Sequence, residues 1–399
     1  MKEGWSYKKV GDVCNVYAGQ GAPQGESNYS DIGVPFVKAG NLGELITGTH
    51  ECEIQKVSPE VASSHGLKLY KKGSVLFAKS GMSCMKGYIY TLKNDCYVVS
   101  HLAILEPHNI DSKYLHFYLR YKKPYSLVKD EAYPSISLKD IENMSIIIPN
   151  NKAQESLVVT ELDNIDKLIN HKKSQLKDLD LLTQSLFFDM FGDPVENEKK
   201  WEVKRLGEIS SLISNGNTPK GGSEVYVDSG YLFLRSQNVW KNRIDLDDVA
   251  FIDDATHNKL KKSTLLHNDL LITKTGRFNT ENSSLGRTAL FEGEDGSANI
   301  NGHVYLVRLK SGMIHKFVLY ILISDSYRDL IRKTCVGGID KRQLNKDHIE
   351  DFPIIFPPIE LQSDYVKKVE LIEKQKQKIG LIINDLETLL ASRMQFWFE

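Results

Sequence analysis

From about Ala153 to Met190 the chain contains neither Gly nor Pro, and apolar residues fall at Leu162, Ile165, Ile169, Leu176, Leu179, Leu186 and Met190. This three-and-four spacing predicts one long amphipathic helix, with Lys172 and Thr183 as imperfections in its stripe. A second stretch starting near Ile359 repeats the spacing at Ile372, Ile379, Ile382, Leu386, Leu389 and Phe396, with Gly380 inside it. Residues 1 to about 150 look different. Short β-type runs (Val34 to Lys38, Val75 to Ala78, Tyr88 to Leu92, Val98 to Leu105) are broken by Gly, Pro and Asn, and a helical stretch lies near Tyr114 to Tyr121. The pattern predicts a compact α+β domain followed by a long helix. At about 1.5 Å per residue, a helix of roughly 38 residues reaches about 55 to 60 Å, longer than a small domain is wide. Its stripe stays wet unless the two helices pack on each other. Because they follow equivalent domains, the expected pairing is an antiparallel coiled coil with pseudo-twofold symmetry, a stiff bar whose length sets the separation of the domains. The alternative is that each helix lies against its own domain.

The second half repeats the punctuation of the first. Trp5-Ser-Tyr-Lys-Lys-Val-Gly-Asp-Val returns as Trp201-Glu-Val-Lys-Arg-Leu-Gly-Glu-Ile, an offset of 196 residues. Pro23 and Gly25 correspond to Pro219 and Gly221, and Gly33-Val-Pro-Phe-Val-Lys-Ala-Gly-Asn41 corresponds to Gly230-Tyr-Leu-Phe-Leu-Arg-Ser-Gln-Asn238. The run from Lys72 to Gly81 meets that from His267 to Gly276, Ser100-His101 meets Gly302-His303, and the stretch Ile141 to Pro149 meets Ile349 to Pro357. Residues between these anchors differ, so the copies share a scaffold and diverge in surface. The expected organisation is a globular α+β domain at 1–150, a central long helix at 151–194, a second such domain at 195–356 and a C-terminal long helix at 357–399.

Charge narrows the function classes. Lys plus Arg number 51 and Asp plus Glu 52, a net charge of −1, so no general positive field holds a polyanion and any nucleic-acid contact comes from local patches. The longest apolar runs, such as Ile146-Ile147-Ile148, are too short to span a bilayer, and the Met-Lys-Glu-Gly-Trp-Ser start lacks a signal-peptide core, so a cytoplasmic protein without a membrane is expected. Cys14, Cys52, Cys84, Cys96 and Cys335 are scattered without a C-x-x-C pair, which points to reduced, mostly packed thiols.

Catalytic chemistry is hard to find. There is no phosphate-cradling G-x-x-x-x-G-K-S/T, and the only Pro-Pro, at Phe356-Pro357-Pro358-Ile359, lacks the amide and ring of an adenine-methylating tetrapeptide. Asp193, Glu198 and Lys200 sit in a charged linker with no strand to fix a metal, and no nucleophile stands beside His101 or His303. What remains are loops suited to DNA. Lys79-Ser80-Gly81 with Lys86, and Lys274-Thr275-Gly276-Arg277 with Arg287, each put a cation, a hydroxyl and a glycine after a strand-like run. Lys38 with Asn41, and Arg235 with Gln237 and Asn238, form a second equivalent set, in which amides suit adenine and guanidinium suits guanine. The alternative for all of them is a solvated strand end.

The helix end Ser185-Leu-Phe-Phe-Asp-Met-Phe-Gly-Asp-Pro194, followed by the Trp201 motif, resembles the central region of specificity subunits of type I restriction-modification systems, and the resemblance spans the whole chain. It includes Pro149 and Pro357 with Gln154 and Gln362, both long helices and the two dissimilar domains. It implies two target recognition domains, each binding half of a split, asymmetric double-stranded DNA sequence. It also implies helices that set the gap and dock two methyltransferase subunits, which methylate adenine, with ATP-dependent restriction motor subunits joining for cleavage. S-adenosylmethionine, ATP and Mg then belong to those partners, and no cofactor or catalytic residue to this chain. The second helix departs from the pattern, ending at Phe396-Trp-Phe-Glu399 without Phe-Gly-Asp-Pro. Phe187, Phe188 and Phe191, beside Met190, exceed one stripe, so some face another element, either a neighbouring domain or a partner subunit. A coiled-coil adaptor with two protein- or ligand-binding modules is the alternative function.

Overall fold

The computed structural model describes residues 3–278, 280 and 282–399. Two compact units emerge, Met1–Gln175 with Ile379–Glu399, and Leu176–Lys378. Each holds one globular domain and one part of each long helix.

In the first unit a four-stranded antiparallel sheet runs in the order Cys14–Ala18, Leu102–Pro107, Val75–Ala78, Ile89–Thr91. A three-stranded sheet has Lys56–Val57, Val34–Val37 and Tyr97–Val98, the last pair parallel, and a ribbon joins Trp5–Lys9 to Ser145–Pro149. Val75 and Phe77 pack in a core with Tyr114, Tyr118 and the long helices, while Leu76 and Ala78 pack in another with Phe36 and Val98. Burial on both faces is why this strand is apolar throughout instead of alternating. The run expected from Val98 to Leu105 is two strands, Tyr97–Val98 and Leu102–Pro107, because the chain turns at 99–101 to pass from one sheet to the other.

The second unit repeats this order strand for strand. Ser210–Asn215, Val304–Leu309, Leu270–Thr273 and Thr288–Leu290 form the four-stranded sheet. Ala250–Ile252, Tyr231–Leu234 and Ala298–Ile300 form the three-stranded sheet, again with a parallel last pair, and Val203–Arg205 meets Pro353–Ile355. It adds a hairpin of Val239–Trp240 and Arg243–Ile244, and a small sheet of Thr275–Arg277, Lys341–Gln343 and Val336–Gly337. The duplicated punctuation is therefore a duplicated topology.

The long helices are Lys152–Phe191 and Ile359–Phe398, 40 residues each. In the first unit their parts are antiparallel. Glu161 pairs with Arg393 and accepts the Trp397 indole N–H at 2.9 Å, and Lys173 pairs with Glu387 at 2.7 Å. In the second unit Asp180 pairs with Lys376, and Tyr365 meets Phe187 and Phe191 at ring separations of 5.4 and 5.6 Å. One detail of the expected stripe is corrected. Ile382, Leu389 and Phe396 are 40%, 45% and 51% exposed, while Ile383, Leu390 and Trp397 are buried. Neighbouring apolar residues satisfy a seven-residue repeat equally well in sequence, and only the packing partner selects between them.

The first helix ends on Gly192, whose φ of +75° suits glycine and whose N–H donates to the Phe188 carbonyl at 2.8 Å. The Asp193 carboxylate then accepts the N–H groups of Val195 and Glu196 at 2.8 and 3.1 Å, and the Trp201 indole donates to the Phe191 carbonyl at 2.9 Å. The Phe-Gly-Asp-Pro segment is thus a helix stop and turn. Among the described residues no group of His, Cys, Asp and Glu could hold a metal ion, and no helix is long and apolar enough to cross a membrane. Cys14, Cys84, Cys96 and Cys335 are buried free thiols and Cys52 is exposed; burial pushes Cys14 up to about 12.

Candidate nucleic-acid interface

The cation-bearing loops begin where strands end, Lys38 after Val34–Val37 and Lys79 after Val75–Ala78. One turn ties these ends together. The Val99 N–H donates to the Val37 carbonyl and the Lys79 N–H to the His101 carbonyl, both at 2.9 Å. His101 Nδ1 also lies 2.8 Å from Ser80 Oγ, so this histidine braces the loop. The second domain builds the same turn, with Asn301 N–H donating to Leu234 at 3.0 Å and Lys274 N–H to His303 at 2.8 Å. The chain crosses the turn at Gly19 and Gly216, where a Cβ would lie 2.2 Å from the carbonyl oxygens of Val99 and Asn301. No side chain fits such a gap, which explains a glycine at both places.

The two expected sets of each domain are therefore brought together around one turn, but their side chains differ in availability. Asn41 accepts the Lys38 N–H at 2.8 Å and donates to Glu44 at 2.6 Å, and Lys38 Nζ donates to Gln55 at 2.7 Å, 4.0 Å above the Tyr29 ring. Asn238 accepts the Arg235 N–H at 2.9 Å and donates to the carbonyls of Asp245 and Asp248 at 3.0 and 3.1 Å. It is 2% exposed, so it shapes the loop and presents no free edge. Arg235 bonds the Asp248 carbonyl and pairs with its carboxylate, and Gln237 donates to the same carboxylate at 2.9 Å. Arg287 donates to the Ser283 and Asn282 carbonyls at 3.0 and 2.6 Å and lies 3.8 Å over the Trp240 ring; burial lowers its pKa. It pins its loop instead of reaching out.

Lys79, Lys86, Lys274 and Arg277 are differently placed. Lys86 and Arg277 are exposed, Lys86 closing the turn Met82–Lys86 and Arg277 ending the strand Thr275–Arg277. Lys79 and Lys274 are partly exposed, Lys274 Nζ lying 5.7 Å from the Tyr305 ring. Of the adjoining glycines, Gly81 is open to its surroundings with a φ of +72°, while Gly276 lies against the Leu285 backbone. In the second domain an open cavity of about 760 Å³ is lined by Ser236, Thr275, Arg277, His303, Asp340 and Lys341, joining the two loop sets. Lys341 belongs to a segment that no local sequence signal places here. The Leu344 N–H donates to the Lys274 carbonyl at 2.9 Å, as the Ile136 N–H does to the Lys79 carbonyl at 2.8 Å. Both attachments are long-range pairings, invisible to periodicity.

Of the aromatic cluster at the first helix end, Phe187 and Phe191 lie in the core of the second unit against Phe317 and Tyr365. Only Phe188, 55% exposed, faces outward. Leu181 and Leu182 on this helix, and Leu381, Ile382 and Leu389 on the other, are also large, apolar and exposed.

A family model described as the type I restriction modification DNA specificity domain matches residues 2–178 and again 198–387. The chain is 28% identical over 418 residues to the type I restriction enzyme MjaIX specificity subunit of Methanocaldococcus jannaschii, covering 98% of this chain and 93% of that protein. It is 22% identical to the StySPI specificity subunit of Salmonella potsdam over 99% of this chain and 88% of that one. The crystal structure of a type I restriction-modification S subunit from M. genitalium shares the fold, with a TM-score of 0.55 at 13% identity, covering 99% and 96% of the two chains. With the family matched in both units, the chain belongs to the type I restriction modification DNA specificity family, noncatalytic subunits that recognise DNA sequence.

Proposed function

We propose that the two units each bind one half of a bipartite, asymmetric duplex target within a cytoplasmic type I restriction-modification assembly. The observation that carries this is the repeated turn at His101 and His303, which holds cation loops at the same place on two matching scaffolds with different residues around them. Lys79 and Lys86 in one unit, and Lys274 and Arg277 in the other, supply phosphate contacts, with Ser80 and Thr275 beside them. Lys38 and Gln237 border these loops and reach base edges only by exchanging their present partners. The long helices set the gap between half-sites. The exposed residues Leu181, Leu182 and Phe188 in one unit, and Leu381, Ile382 and Leu389 in the other, dock two methyltransferase subunits, because grouped apolar residues on a surface mark protein interfaces where single ones do not. Those subunits bring S-adenosylmethionine to an adenine in each half-site, and ATP-dependent motor subunits complete the restriction complex.

The near-neutral net charge fits a reader that shares its DNA clamp with partners. Replacing residues 1–150 by the corresponding domain of another specificity subunit tests the reading through methylome sequencing. One half of the methylated motif should change and the other should persist. Alteration of both halves, or of neither, defeats the modular assignment.

A further inference from the structure

The segments attached to the Lys79 and Lys274 loops each carry one bare apolar residue. In the first domain the Ile136 N–H donates to the Lys79 carbonyl at 2.8 Å and the Gly81 N–H to the Pro134 carbonyl at 2.9 Å. In the second the Leu344 N–H donates to Lys274 at 2.9 Å and the Phe278 N–H to Asp340 at 3.0 Å. Beside these bonds stand Tyr133 and Ile339, 83% and 84% exposed. A single bare apolar side chain needs no explanation. The shared register matches Tyr133 to Lys341 and not to Ile339, but each of the two apolar residues stands on the segment that pairs with its own domain's cation loop.

The charges around these residues say what they face. Asp130 and Glu131 precede Tyr133, and Asp340 separates Ile339 from Lys341, so a carboxylate lies between each apolar residue and the nearest cation that follows or precedes it. Lys79 and Lys86 on one side, and Arg277 and Lys341 on the other, attract phosphates. A duplex held by those cations presents its grooves to Tyr133 and Ile339. There the thymine methyl and the faces of partly unstacked bases offer apolar surface, and the cytosine amine offers a donor to a carboxylate.

We propose that Tyr133 and Ile339 contact bases, one in each half-site, and set specificity through apolar contact. The inference rests on the reading of both units as DNA-binding. Its physical signature is separable from phosphate contact, because only neutralised phosphates release counterions and steepen the salt dependence.

The test titrates the chain, in complex with its methyltransferase subunits, against a duplex carrying the motif it methylates and against an unrelated duplex, at several salt concentrations. Tyr133→Ala and Ile339→Ala should each weaken target binding by about tenfold or more, leaving the salt slope and the unrelated duplex unchanged. Tyr133→Phe should stay within about threefold of wild type, since the ring is kept. Lys79→Ala should weaken both duplexes alike and lower the slope by about one. Losses under about threefold for the alanine variants, with wild-type preference intact, overturn this inference alone. So does a loss shared by both duplexes with a lower slope, which assigns the two residues to the backbone. A wild-type complex that prefers no duplex overturns the functional reading as well.

Discussion

His116 stands on the helix Ser112–Lys122 with Nδ1 3.0 Å from Thr91 Oγ1. Burial first, then the Arg120 and Lys113 charges, lower its pKa to about 4, against the opposing pull of Asp166 and Asp163. The unfolded chain takes up this proton near pH 6.5, so stability is full above that and falls as the pH drops toward 4. Denaturation of the full chain at pH 7.5 and 5 should show the loss, and His116→Gln should flatten the difference. An equal pH dependence in the variant would remove the assignment. Tyr365 offers a second residue-scale test. Its hydroxyl is buried and has no hydrogen-bond partner among the described residues. Tyr365→Phe should leave the melting temperature unchanged or raise it, by up to about 1 kcal/mol of stability. Such features are illegible in sequence, because neither burial nor an orphaned hydroxyl leaves a mark on spacing. Gly19 and Gly216 show the reverse: the glycines are plain in the sequence, but their reason is a carbonyl that approaches from far along the chain.

The elements were largely legible. The strand Val75–Ala78 and both long helices fall where periodicity puts them, since an apolar run and a seven-residue repeat are local properties. The seam of the second helix was not, nor which aromatic of the first faces outward, because adjacent positions compete for one stripe. Two substitutions separate the alternatives. Phe191→Ala opens a void among Phe187, Phe317 and Tyr365 and should cost about 3 to 5 kcal/mol. Phe188→Ser should keep the melting temperature yet reduce co-purification with the methyltransferase; unchanged co-purification would move the docking surface elsewhere. Gly380 is helical, and a Cβ there meets nothing within 4 Å. Gly380→Ala should therefore stabilise the chain by about 1 kcal/mol, read as a higher denaturation midpoint.

At the scale of the whole molecule the proposed gap-setting role of the helices makes a numerical prediction. One heptad adds about 10 Å of helix and nearly two turns, so the seam is preserved while the length grows. A heptad inserted after Gln175 and another after Lys378 should lengthen the gap in the methylated motif by about three base pairs, at roughly 3.4 Å each. An unchanged gap would detach spacing from helix length. The sequence alone determined that two copies of one α+β scaffold alternate with two long helices, because repeats, turn residues and apolar periods are written along the chain. It also marked Lys79 and Lys274 as equivalent. Tertiary structure alone decided which cations and amides stay available. Asn238 and Arg287 are consumed by bonds within their own loops, and the segments that carry Tyr133 and Ile339 attach to the cation loops through pairings with strand ends far away in sequence. A residue's type limits what it can bond, but the neighbours that occupy those bonds arrive only on folding.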